Sequence, residues 1–296
     1  MSMEKSLHYG TNLIEQVWSR MKPGELPKLR ECKEDRILVI EGSYDYLEKI
    51  LDNAKVPYTL LDEFPDKEEL RQGGQFAKSK VMFVNCDEDY HSSPEDKNLT
   101  RENKKSLQEF VARGGRMITT DWAQAVVKYL FGKIRAKENS TDDDDIVKVR
   151  FASDIGKNLS GISYGNARPN WWLESSSDMI SYSKNSGVVE LVESYEMKEK
   201  YGSSHVAVGF PYGEGEVFHF VSHLIAQELK NYDESARECL RTFLDLTKTS
   251  LKSASTSKLS FGEIETTYTL MHTVLELCRN KMILPKGREL LKGGVA

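Results

Sequence analysis

The sequence predicts an α/β protein, a three-layer sandwich built on a mostly parallel sheet and extended by a late antiparallel hairpin. Three observations carry this prediction. Short apolar runs end abruptly in acidic residues, as in RILVIEG (36–42) and KVMFVNCDED (80–89). Amphipathic stretches of helical period separate these runs, as crossovers between parallel strands require. A chain of 296 residues that is 39% hydrophobic and 29% charged is long enough to bury a sizeable core and has an ordinary globular composition.

Each element follows from local pattern. Residues 1–35 read as an N-terminal extension, and the polar opening MSMEKSLHYG lacks the apolar centre of a signal peptide. RILVIEG is a buried strand, because strands covered on both faces read as continuous apolar runs. In SYDYLEKILDNA (43–54), Tyr46, Leu47, Ile50 and Leu51 recur at helical spacing, with Ser43 as the expected N-cap. VPYTLLDE (56–63) and KVMFVNCDED supply the second and third strands. A helix over 99–113 turns Leu107, Phe110 and Val111 inward and is closed by Gly114-Gly115. RMITTDWA (116–123) is the fourth strand, and AQAVVKYLFG (123–132) returns as a helix.

The middle of the chain is less regular. KENSTDDDD (137–145) reads as a solvated loop, since its consecutive aspartates repel one another. Short strands are expected in IVKVRFAS (146–153), around DMISYSK (178–184) and in VVELVES (188–194). SHVAVGFPYGEGEVFHFVSH (204–223) is a hairpin turning at Tyr212-Gly213-Glu214-Gly215. A helix carrying Ala236, Leu240, Phe243 and Leu244 closes a domain spanning 36–248. TSLKSASTSKLS (249–260) has the composition of a linker. The last segment, 261–296, is an amphipathic helix and tail, with Ile264, Tyr268, Met271, Val274, Leu275 and Cys278 on one face.

Composition also excludes. The net charge of −5, from 41 basic and 46 acidic residues, argues against nucleic-acid binding by bulk charge. No run approaches the roughly 18 apolar residues of a membrane span. Cys32, Cys86, Cys239 and Cys278 stand apart without a CxxC pair, so neither a disulfide framework nor a zinc motif is expected, and a reducing, cytoplasmic setting is. The aspartate tract lacks EF-hand spacing. No motif specifies a cofactor or a metal.

Candidate chemistry gathers at the strand ends. Glu41, Asp87, Glu88 and Asp121 terminate predicted parallel strands, at the edge where α/β folds collect ligands. Converging acids can hold a hard cation or share a proton; the plainer reading is that each caps a helix or faces water. For Asp121 that plainer reading is an N-cap. Cys86 and His223 also end strands and suggest a thiol–imidazole pair. However, Asp87, Glu88 and Asp89 follow Cys86 at once, and their field raises a thiol pKa. Trp171 and Trp172 in NARPNWWLES read either as a stacking surface for a ligand or as core filling.

The phrases VMFVNCDED, FVARGGRMITTDWA and VAVGFPYGEGEVFHFVSH together resemble the class I glutamine amidotransferase-like superfamily, especially its divergent ThuA-like relatives, over about residues 36–245. The resemblance implies a flavodoxin-like sheet, a nucleophilic Cys at the turn after the fourth strand, and a catalytic His ending a late strand. Here that turn reads Thr119-Thr120-Asp121-Trp122-Ala123 and holds no Cys. His223 stands at the histidine position, but Ile225 replaces the glutamate expected two residues on. The expectation is therefore a pseudoenzyme without glutaminase activity, acting as a binding or assembly module. Tyr268, Met271 and Leu275 of the last helix would then dock on a partner or a second copy. Two alternatives stand beside it: a hydrolase or lyase using Cys86 and His223 or the carboxylates, and a ThuA-like carbohydrate-related protein supported by the Trp171–Trp172 pair.

Overall fold

A computed structural model describes residues 3–161, 169–225 and 261–285. The linker expected at 249–260 and the helix around Ala236 to Leu244 lie outside the described residues. Twelve strands are described: β1 (Ile37–Ile40), β2 (Thr59–Leu61), β3 (Val81–Val84), β4 (Arg116–Thr120), β5 (Arg135–Ser140), β6 (Asp145–Lys148), β7 (Arg150–Phe151), β8 (Asn170–Leu173), β9 (Asp178–Ser181), β10 (Val189–Glu193), β11 (His205–Tyr212) and β12 (Gly215–Phe220). The described α-helices are α1 (Met3–Met21), α2 (Glu25–Arg30), α3 (Glu48–Ala54), α4 (Lys67–Leu70), α5 (Asp89–Ser92), α6 (Arg101–Ala112), α7 (Gln124–Phe131), α8 (Asp154–Ser160), α9 (Tyr195–Tyr201) and α10 (Phe261–Cys278).

Among the described residues, eight strands form the central sheet in the order β2-β1-β3-β4-β12-β11-β10-β7. The first five are parallel; β11, β10 and β7 extend the sheet antiparallel. This is the expected flavodoxin-like sandwich with its late hairpin. Every residue of β1, β3, β4 and β12 is buried, which is why β1 and β3 read as unbroken apolar runs. Val84 of β3 pairs with Thr119 of β4, and Thr120 pairs with Phe220 of β12, so this register sets the ends of the three strands level.

Several expectations need correction. The segment 137–145 is not all loop: β5 runs through Ser140 and pairs with β9, whose backbone supplies the hydrogen bonds that outweigh polar composition. Ser43 does not cap the following helix, which begins at Glu48 after Leu47, without a side-chain cap. The N-terminal extension contains a helix, α1, whose Leu7, Leu13, Ile14, Val17 and Trp18 are buried on one stripe.

That missed helix also corrects the reading of the C-terminal one. Tyr268, Met271 and Leu275 are fully buried in their own chain, where α10 packs against α1, α8, α3 and β8. Close approach of α1 and α10 depends on Gly10, since a Cβ there would sit 2.4 Å from the Met271 sulfur and 2.8 Å from a Thr267 methyl. The Trp18 indole donates to His272 Nδ1 at 3.0 Å across this seam. The apolar stripe offered to a partner is thus taken up inside the molecule.

Candidate functional site

Level strand ends bring three loops together at the carboxyl edge of the parallel sheet. Cys86 lies just beyond β3, Asp121 directly follows β4, and His223 lies just beyond β12. A fourth group, Glu174, arrives from outside the central sheet, directly after β8 in the separate β6–β8 ribbon. One ligand atom from each of Cys86, Asp121, Glu174 and His223 lies within 4.8 Å of all the others. His223 Nε2 sits 3.3 Å from Asp121 Oδ2 and 3.2 Å from Glu174 Oε2. Cys86, Asp121 and His223 are buried, and Glu174 alone reaches solvent, with 23% of its side chain exposed.

Asp121 organises the cluster. It occupies the sharp turn from β4 into a short 3-10 segment, Asp121–Ala123, and adopts a left-handed φ of 42°. A non-glycine residue there costs about 1–3 kcal/mol and persists only where the surroundings impose it. Its side chain does not cap the following helix, contrary to the N-cap reading. Instead Oδ2 accepts a 2.8 Å hydrogen bond from Ser177 Oγ and faces His223. Asp121 Oδ1, although buried, has no hydrogen-bond partner among the described residues. The next backbone amide, at Trp122, is directed at the Cys86 sulfur.

Supporting groups hold this geometry. Asp45, fully buried in the loop after β1, accepts from the Tyr46 amide at 2.9 Å and from the Leu224 amide at 3.2 Å, tying that loop to the His223 segment. Gly42 lets the β1 and β3 loops touch, because a Cβ there would lie 2.3 Å from the Cys86 carbonyl oxygen. The Trp172 ring meets His223 edge-on, with centroids 5.0 Å apart. Tyr44 and His91 pack against Trp122, whose indole donates to the Ser176 carbonyl at 2.9 Å.

The electrostatics follow from burial and crowding of acids. Burial pushes the Cys86 thiol far up, and the negative Asp121, Asp45 and Glu174 push it further than the Trp122 amide can offset. Burial also pushes Glu174 up to about 7, with Asp121, Asp144 and Asp45 adding to it and His223 opposing. For His223, burial disfavours the charged ring, but Asp45, Asp121 and Glu174 together outweigh it and hold the imidazolium up to about 9.

The other predicted site residues go elsewhere. Asp87 is buried and pairs with Lys97 at 3.2 Å, accepts from Ser43 Oγ, and caps the Asp89 amide. Glu88 is exposed and accepts from the Tyr44 hydroxyl. Glu41 is exposed, and its carbonyl accepts from Lys97. Trp171 is core, packed on Phe151 and Phe220. Trp172 is 8% exposed, so the pair offers no open stacking surface. Sequence reasoning missed Glu174, Asp45 and Ser177. Asp45 lies a few residues past a strand end and could have been suspected; Glu174 follows a strand of another sheet and carries no local signal.

No family model matches the chain, and no curated protein does. Among solved structures, it is similar to a glutamine amidotransferase from Methylobacillus flagellatus, with a TM-score of 0.50 and 11% identity over 83% of this chain and 94% of that one. A glutamine amidotransferase from Thermotoga maritima gives 0.46 and 13%, covering 81% and 99%. A cytoplasmic protein from Salmonella typhimurium gives 0.44 and 13%, covering 64% and 88%. At such identities, likeness is one of fold. The fold is amidotransferase-like. No helix among the described residues is long and apolar enough to cross a membrane.

Proposed function

We propose that this chain is a non-catalytic amidotransferase-like domain that binds a small ligand at the Cys86–Asp121–Glu174–His223 cluster and does not turn over glutamine. The observation that carries this reading is the residue at the strained turn after β4. Acyl-transfer elbows expose a nucleophile there; this chain places Asp121, with its carboxylate bonded to Ser177 and turned to His223. Cys86 is not a substitute, since its sulfur is buried at the end of a neighbouring strand. The hydrolase alternative is weakened by the same geometry. A working triad sets nucleophile and orienting acid on opposite ring nitrogens, whereas Asp121 and Glu174 both face Nε2 of His223. An assembly role through the last helix has lost its surface, and burial of the tryptophans removes the support for a carbohydrate-stacking role.

The test is an ammonia-release assay with glutamine on the purified full chain, alongside the His223→Ala variant. The expected result is no release above buffer from either protein. Release by the unaltered chain that disappears in His223→Ala would overturn the reading.

A further inference from the structure

We propose that the strand-end cluster is a binding site for a transition-metal dication of the zinc type, held by Cys86 Sγ, His223 Nε2 and one carboxylate oxygen each from Asp121 and Glu174. This deepens the non-catalytic reading and rests on it, because it names the ligand of that same site.

The donor set selects the ion. A thiolate, an imidazole and two carboxylates match a borderline-soft ion that accepts S, N and O together; magnesium and calcium select oxygen alone. Four protein donors also fill a tetrahedral shell and leave no position for an activated water, as expected of a holding site.

The spacing of the donors agrees. Donors on a tetrahedral zinc ion, with bonds of about 2.0–2.3 Å, lie about 3.3–3.7 Å apart. His223 Nε2 is already at 3.3 and 3.2 Å from the two carboxylates, and the whole set lies within 4.8 Å. Small side-chain rotations close the rest, and Glu174, the solvent-touching member, has room to make them.

An orphaned oxygen points the same way, independently of the cluster's shape. Asp121 is 2% exposed, yet Oδ1 has no hydrogen bond among the described residues, and the residue is held there by a strained left-handed backbone. A buried carboxylate oxygen without a donor is costly unless something positive meets it. Its other oxygen, Oδ2, is the one that faces His223, and it accepts from Ser177, the kind of outer contact that orients metal-ligating carboxylates. Cation binding completes that coordination: the Cys86 thiol and the His223 imidazolium each give a proton to solvent, the first as the metal–sulfur bond forms and the second so that Nε2 binds through a neutral ring.

The experiment uses the full chain stripped with chelator and then titrated with Co²⁺ and Zn²⁺. Native mass spectrometry is expected to find one ion per chain. Co²⁺ is expected to produce a thiolate charge-transfer band that Zn²⁺ abolishes and that Cys86→Ser lacks. Ser177→Ala is expected to weaken binding about 10- to 100-fold. Cys32→Ser, which alters a thiol away from the site, should leave the spectrum unchanged. Circular dichroism checks that each variant folds; should Cys86→Ser not fold, loss of binding in Glu174→Gln replaces it. Absence of stoichiometric metal, or a Co²⁺ spectrum without the thiolate band, would overturn the inference. Either failure leaves the non-catalytic reading in place, which falls only to glutamine-dependent ammonia release.

Discussion

At the scale of single residues, the same side chain takes opposite protonation states according to its neighbours. His223 lies among carboxylates and is held up to about 9, whereas His219, a few residues earlier in β12, is fully enclosed with Thr119 Oγ1 2.9 Å from its Nδ1, and burial alone pulls it down to about 3. An unfolded chain binds a proton at such a histidine below about 6.5, while the fold refuses it. The unfolded state therefore gains stability as pH falls from about 6.5 toward 3, and the fold loses it. His219→Gln removes that proton uptake. Relative to the variant, the unaltered chain should lose about 1.4 kcal/mol per pH unit over this window. Urea midpoints measured for both proteins at several pH values check it; parallel curves would contradict it.

At the scale of elements, the seam between α1 and α10 is the feature that most changes the picture of the molecule. Neither helix can expose its stripe without loss, because buried apolar area is worth about 25 cal/mol per Å². Together they cover each other. Gly10→Val should cost about 1–3 kcal/mol, as overpacking against Met271 and Thr267 forces the helices apart. Leu275→Ala, at a fully buried position, should cost about 2–5 kcal/mol through the cavity it leaves. Both are read from chemical denaturation. Sedimentation should show an unchanged oligomeric state; a change in association without loss of stability would return α10 to the role of a docking surface.

At the scale of the whole molecule, one buried ion pair binds the sheet to the chain after α10. Arg116 begins β4, Glu216 lies in β12, and they pair at 2.5 Å with side chains 7% and 1% exposed. The guanidinium also donates to the carbonyls of Leu277, Arg279 and Lys281, and Glu216 accepts from the amides of Ile283 and Leu284. This satisfies the charges at the amino ends of the parallel strands, opposite the edge that carries the candidate site. Removing one member of a buried pair strands the other and costs about 3–5 kcal/mol. Glu216→Ala should show that loss in urea and should open the 277–284 segment to limited proteolysis before the sheet is cut. Proteolysis confined to other loops would argue against such a tie.

Taken alone, the sequence determined the elements whose signals are local. Unbroken apolar runs specify β1 and β3, and alternating apolar residues on either side of paired glycines specify the β11–β12 hairpin. It also determined that Asp121 stands in the turn after β4, since that follows from chain order. What it did not determine was company. Asp121 meets His223 because β12 inserts beside β4 in parallel register, and Glu174 joins them because a strand outside the central sheet delivers it. Asp87 and Glu88 end a strand just as Asp121 does, yet Lys97 and Tyr44 draw them away. The stripes of α1 and α10, at opposite ends of the chain, are each legible as amphipathic, but their pairing is not. Periodicity is written in neighbouring residues, whereas contact between distant ones depends on strand order, register and packing, which only the tertiary structure decides.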